Sequence, residues 1–96
     1  MEIDQLGDIF NNINDYDGLL RFVNENKFRK KSPENADIPK PNLMKVDVYE
    51  LSIPNGAVAV HYIEKMDKDA SGKRMVYERK ALLSLNYVSM GSILLK

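Results

Sequence analysis

The chain has 96 residues, with 14 basic and 14 acidic side chains, one histidine, no cysteine and no tryptophan; 44% of its residues are hydrophobic and 29% charged. That is the make-up of one ordinary globular domain, residues 1–96, with room for a modest core. Disulfides, thiolate zinc sites and cysteine nucleophiles are excluded. No apolar run approaches the roughly 18 residues of a membrane span, and Met1-Glu-Ile-Asp is acidic where a secretory leader is basic, so a cytoplasmic location and no membrane partner are expected.

The zero net charge hides an asymmetry. Residues 1–26 carry six acids (Glu2, Asp4, Asp8, Asp15, Asp17, Glu25) and one base, Arg21; the other thirteen bases and eight acids follow. An acidic first part and a basic remainder attract each other in the folded chain, or offer two poles to partners.

In chain order, residues 1–28 read as a helical part. Ile3, Leu6, Phe10 and Ile13 recur at helical spacing and predict a helix over about 3–12. Asn11 to Asp15 is a stop-and-turn signal. Asp15 or Asp17 can cap a second helix carrying Leu19, Leu20, Phe22 and Val23 and ending near Asn26. Residues 29–43 read as a linker: a basic run, Lys27 to Lys31, leads into a stretch broken by Pro33, Pro39 and Pro41.

Residues 44–96 read as a sheet part. Two β-rich runs, Met44 to Ile53 and Ala57 to Met66, flank Asn55-Gly56, a strong signal for a type I′ hairpin. With those two residues as the loop, Ile53 faces Val58, Leu51 faces Val60 and Tyr49 faces Tyr62, all on one apolar face. The other face has Glu50 opposite His61, and Asp47 opposes Glu64 as an unfavourable like-charge pair; a three-residue loop would remove that clash. The third run, from Arg74, sets Met75, Tyr77, Arg79, Ala81, Leu83 and Leu85 on the apolar face. Residues 81–90 are compatible with helix or strand, with strand favoured by Tyr87 and Val88. The fold class is α+β: two short N-terminal helices packed on a three- to four-stranded antiparallel β-meander.

Few residues carry chemistry. Asp67, Asp69, Ser71, Gly72 and Glu78 fit a calcium-loop pattern. Strand-like flanks and crowding by Lys65, Lys68, Lys73 and Arg74 oppose a divalent cation there, and the pattern reads as a polar hairpin loop. A lone His61 cannot build a histidine-based zinc cluster and reads as a polar sheet residue. No phosphate-binding glycine motif or nucleophile elbow occurs, so no cofactor, no resident metal and no enzymatic activity are expected.

Two basic clusters, Lys27/Arg29/Lys30/Lys31 and Lys73/Arg74/Arg79/Lys80, suit phosphate contacts. Of the tyrosines that could stack bases, Tyr49, Tyr62 and Tyr77, the first two fall on the core-facing side. The reading is therefore a non-catalytic protein-binding module, with Asp4, Asp8, Asp15 and Asp17 as candidate contacts. Nucleic-acid association through the basic clusters is the alternative, and homo-oligomerisation through a sheet edge a second one. Small cysteine-free chains rich in Asn and Lys are frequent in low-GC bacteria and their phages, where inhibitors, immunity proteins and antitoxins have this size.

Overall fold

The computed structural model describes residues 3–31 and 44–96. Two helices, α1 (Ile3–Asn11) and α2 (Tyr16–Glu25), precede strands β1 (Arg29–Lys31), β2 (Met44–Ile53), β3 (Gly56–Lys68), β4 (Arg74–Leu85) and β5 (Val88–Leu95). The strands form one antiparallel sheet in the order β1-β2-β3-β4-β5. The α+β class is as expected from the sequence, with five strands in place of three to four. The extra strand is β1, three residues of the basic run that reads as linker; the rest of that linker, 32–43, lies outside the described residues.

Helix α2 is closed at both ends by local hydrogen bonds. Asp15 caps α2, its Oδ1 accepting from the Gly18 amide at 2.7 Å. At the other end the Phe28 amide donates to the Val23 carbonyl at 2.9 Å and the Lys27 amide to that of Asn24 at 3.2 Å. This is a Schellman close with Lys27 in the left-handed position, φ 61°, where glycine is the usual occupant. Phe28 is thereby tucked against Phe22, ring centroids 5.6 Å apart.

One face of the sheet meets the helices. Leu6, Phe10, Leu19, Phe22 and Val23 pack with Phe28, Tyr49, Val58, Val60, Tyr62, Ala81, Leu83 and Leu95 into one buried cluster. Alternation explains the membership. Tyr49, Val60 and Leu83 lie in one cross-strand row, and Tyr62 and Ala81 in the next.

The hairpin register differs from the expected one by two residues. Ile53 pairs with Gly56 and Tyr49 with Val60, so Pro54-Asn55 forms the loop. Among the described non-glycine residues only Lys27, Asn86 and Tyr87 have positive φ; Asn55 does not supply a type I′ geometry. Proline, with φ held near −65°, suits the first central position of a type I or II turn. The shift replaces the Asp47–Glu64 opposition with Asp47–Tyr62 and sets Lys45 across from Glu64. A two-residue shift preserves alternation, so the apolar face is unchanged.

Residues 81–90 extend β4 to Leu85, turn at Asn86-Tyr87 and begin β5. Both turn residues have positive φ, 49° and 70°, which is the I′ geometry expected for the other hairpin. A bulge between Lys65 and Met66 leaves Tyr77 without a partner across the ladder. Beyond it β4 reverses its facing: Met75 and Tyr77, expected in the core, are 56% and 66% exposed.

Candidate functional site

No helix among the described residues covers the second face of the sheet. Its central row crosses all five strands: Lys31, Val48, His61, Leu82 and Ser92. The row on one side is Arg29, Glu50, Ala59, Ser84 and Ser89, and the row on the other is Val46, Ile63, Lys80 and Leu94. Val46, Val48, Ala59, Ile63 and Leu82 are half-buried, and Leu94 is 70% exposed. Two ion pairs stand beside this apolar centre, Lys31 Nζ to Glu50 at 2.9 Å and Lys65 Nζ to Glu78 at 3.0 Å, and Arg29 and Lys80 lie on the same face outside those pairs. The pairs are cross-strand neighbours or diagonals, and they neutralise one another's charge on the rim.

His61 sits between Val48 and Leu82, not opposite Glu50. The two-residue register shift is the cause. A shallow depression of about 210 Å³ brings His61, Glu50 and Ser84 together with Ala59, Asn86 and Tyr87. Serine, histidine and a carboxylate in one depression resemble a nucleophile–base–acid set by residue type. No hydrogen bond among the described residues joins the three, and Glu50 is engaged by Lys31.

The helix side holds a denser polar cluster. Asp47 is 6% exposed, with Lys30 and Lys45 ammonium groups each 3.7 Å from its carboxylate. The Tyr62 hydroxyl donates to Glu64 Oε2 at 2.6 Å, and the Tyr16 and Tyr62 rings lie 4.7 Å apart. Burial first, then the Glu64 hydrogen bond and charge, hold the Tyr62 phenol well above its ordinary range. Burial, with charge interactions from Tyr16 and Asp47, raises Tyr49 to about 12. Both phenols stay protonated at neutral pH.

The candidate residues fall as follows. Asp15 is the α2 cap, and Asp4, Asp8 and Asp17 are exposed on the helices. The basic residues do not form one patch. Lys27 closes α2; Arg29 and Lys31 lie on the open face and Lys30 on the helix face, across from Tyr49. Arg79 points to the helix side, 3.9 Å from Glu64, and Lys80 to the open face. Lys73 and Arg74 stand at the β3–β4 hairpin tip. Tyr49 and Tyr62 are buried and offer no platform to a base, whereas Tyr77, the third candidate, is exposed beside the β3–β4 hairpin.

In the calcium-like loop, Asp69 Oδ1 accepts from Ser71 N, Ser71 Oγ and Lys73 N at 2.6–2.9 Å. Those bonds lower its pKa and close the loop by themselves. Glu78 lies four residues into β4 from Arg74, about 13 Å along the strand, and is paired with Lys65. Among the described residues no group of three or more His, Asp or Glu gathers around a metal position, and no helix is long and apolar enough to cross a membrane. Strand alternation predicts the second, mixed face but not the diagonal pairs on it; the hydrogen bonds of Asn86 to the Asn55–Ala57 turn have no signal in the sequence, because they depend on two turns meeting in space. Comparison of the chain with protein-family models, with curated proteins and with solved structures finds no match.

Proposed function

We propose that this chain is a small, non-catalytic protein-binding module that docks a partner protein on the open face of its sheet. The observation behind this reading is the apolar centre of that face, which no helix covers among the described residues while the opposite face is packed. Uncovered apolar surface rimmed by charge is the usual appearance of a docking surface. The rim mixes both signs, with two ion pairs beside Arg29 and Lys80, and its centre is apolar, a combination that suits a protein better than a polyanion. Size and composition fit an inhibitor, immunity protein or antitoxin of a bacterium or phage, acting in the cytoplasm.

The test is a tagged pull-down from host lysate, with and without nuclease, comparing the native chain with Val48→Lys/Leu82→Lys. Both substitutions lie beside His61 on the open face and leave the core untouched; circular dichroism checks the fold. A stoichiometric protein that survives nuclease and is lost with the variant supports the reading. Material that disappears with nuclease moves the assignment to nucleic acid. A partner retained by the variant refutes the open face as its dock.

A further inference from the structure

Of the asparagines in the chain only Asn55 is followed by a glycine, and of the aspartates only Asp17. Such a pair is open to a reaction within its own backbone, because no side chain on the glycine keeps its amide nitrogen from the side-chain carbonyl before it. The structure separates the two pairs. Asp17-Gly18 lies in the first turn of α2, with helical backbone, and the Gly18 amide donates to Asp15 Oδ1 at 2.7 Å. Asn55-Gly56 lies at the β2–β3 turn, where Pro54, Asn55 and Gly56 are all exposed.

The peptide bond between Asn55 and Gly56 is gripped from the β4–β5 turn. Asn86 Nδ2 donates to the Asn55 carbonyl at 3.2 Å, and Asn86 Oδ1 accepts from the Ala57 amide at 3.0 Å. These two bonds clamp Gly56 at φ 145°. With Pro54-Asn55 as the loop, Asn55 takes the second central position of the turn, where ψ is about 0°. There the Gly56 nitrogen is rotated by about 120° from Asn55 Cβ, seen along the Cα–C bond. Closing a five-membered ring through Asn55 Cγ needs the two eclipsed. The rotation that eclipses them carries the Asn55 carbonyl off Asn86 and pulls on Ala57, so the clamp opposes the motion that the reaction needs.

We propose that Asn55-Gly56 is a modification site at which the backbone rearranges without an enzyme, and that Asn86 sets its rate. The Gly56 amide nitrogen gives its proton to solvent base and bonds to Asn55 Cγ; the Cγ–Nδ2 bond breaks, and the nitrogen takes up a proton and leaves as ammonia. Water then opens the succinimide. Cleavage of the Cγ–N bond leaves an aspartate. Cleavage at the former backbone carbonyl leaves an isoaspartate, whose main chain runs through Cβ and is one atom longer. Each product weakens the clamp. An aspartate sets a second carboxylate in the depression that Asp4 shares with Ile53, Leu85 and Asn86. An isoaspartate lengthens a turn that fits two residues between Ile53 and Gly56. The site limits how long the two hairpin turns stay joined, and it is independent of what binds the open face.

The test incubates the full chain, Asn86→Gly and Asn86→Asp in mildly alkaline buffer, and the full chain also in urea. Timed samples are digested and read by mass spectrometry, and circular dichroism checks the fold. Asn55 should be the first asparagine to convert, as separately eluting aspartate and isoaspartate peptides, and more slowly in the native chain than in urea. Asn86→Gly should convert there roughly tenfold faster than the native chain, from the loss of two hydrogen bonds. Asn86→Asp keeps the acceptor for Ala57 and loses the donor to Asn55, so its rate should fall between; it decides the matter if Asn86→Gly does not fold. The other asparagines should keep their native rates in the variants, and isoaspartate-bearing chains should unfold at lower urea. An Asn55 that stays intact while other asparagines convert, equal rates in the native chain and in urea, variants no faster than the native chain, or a rise at all asparagines together would overturn the inference.

Discussion

Gly56 and Asn86 join the two hairpin turns at one end of the sheet, and their coupling can be measured. The Asn86 side chain accepts from the Ala57 amide at 3.0 Å and donates to the Asn55 carbonyl at 3.2 Å. It lies where a Cβ on Gly56 would be: 1.7 Å from Asn86 Oδ1, with the three nearest atoms all from Asn86. Gly56 also has φ 145°, so an alanine there is strained by about 1–2 kcal/mol before any clash. Displacing Asn86 loses two hydrogen bonds at about 1 kcal/mol each. Gly56→Ala should therefore cost about 3–4 kcal/mol, a large part of the total stability of a domain this size. Asn86→Gly keeps the positive φ and should cost about 1–2 kcal/mol for the same bonds. The double variant has no clash left and should cost about 3 kcal/mol, less than the sum, a coupling of 1–2 kcal/mol. Urea unfolding of the four proteins gives the cycle. Additive costs, or a Gly56→Ala no worse than Gly72→Ala (φ 84°, with open space around its Cβ), would refute the clamp.

Three further outcomes are expected. Lys27→Gly and Tyr87→Gly, each relieving a positive φ at an exposed side chain, should raise stability by about 1 kcal/mol in denaturant unfolding. Raised tyrosine pKa values mean that the folded state favours the protonated phenols. Their contribution is complete below the unfolded value near 10 and is lost as pH rises through the folded values; for Tyr49, at about 12, that is about 3 kcal/mol at most. Thermal unfolding should move to lower temperature above pH 10, and less so in Tyr49→Phe. Calcium at millimolar concentration should give no binding heat and no change in melting temperature, since Asp69 is satisfied within its own loop; a stabilisation lost in Asp69→Ala would revive the metal reading.

Most of the architecture is legible in alternation and capping signals. The helix stripes, the Asp15 cap and the facing of β2, β3 and the second half of β4 follow from spacing alone. What fails has particular causes. Asn55-Gly56 reads as the turn because that dipeptide usually supplies two positive φ values, but here Pro54 takes the first turn position and Gly56 is needed for the approach of Asn86. The same slip misplaces His61 against Glu50. The bulge at Tyr77 leaves no local mark, so Met75 and Tyr77 read as core. β1 is too short and too charged to register as a strand until β2 lies beside it. The candidate surface is less legible still, because which face the helices cover is set by packing between distant parts of the chain.

In the sheet every strand pairs with its neighbour in sequence, yet α1, the first element, rests on β5, the last. During synthesis, at about 5–20 residues per second, the 85 residues from Asn11 to Lys96 take on the order of 4–17 s. Until then the strand that α1 packs against does not exist. Phe10 can meet Phe22 as soon as α2 is made, the pair that ends with ring centroids 5.9 Å apart, but the sheet side of Leu6 and Phe10 stays uncovered in that interval, and the exposed carboxylates of Asp4 and Asp8 keep the nascent segment hydrated while it waits.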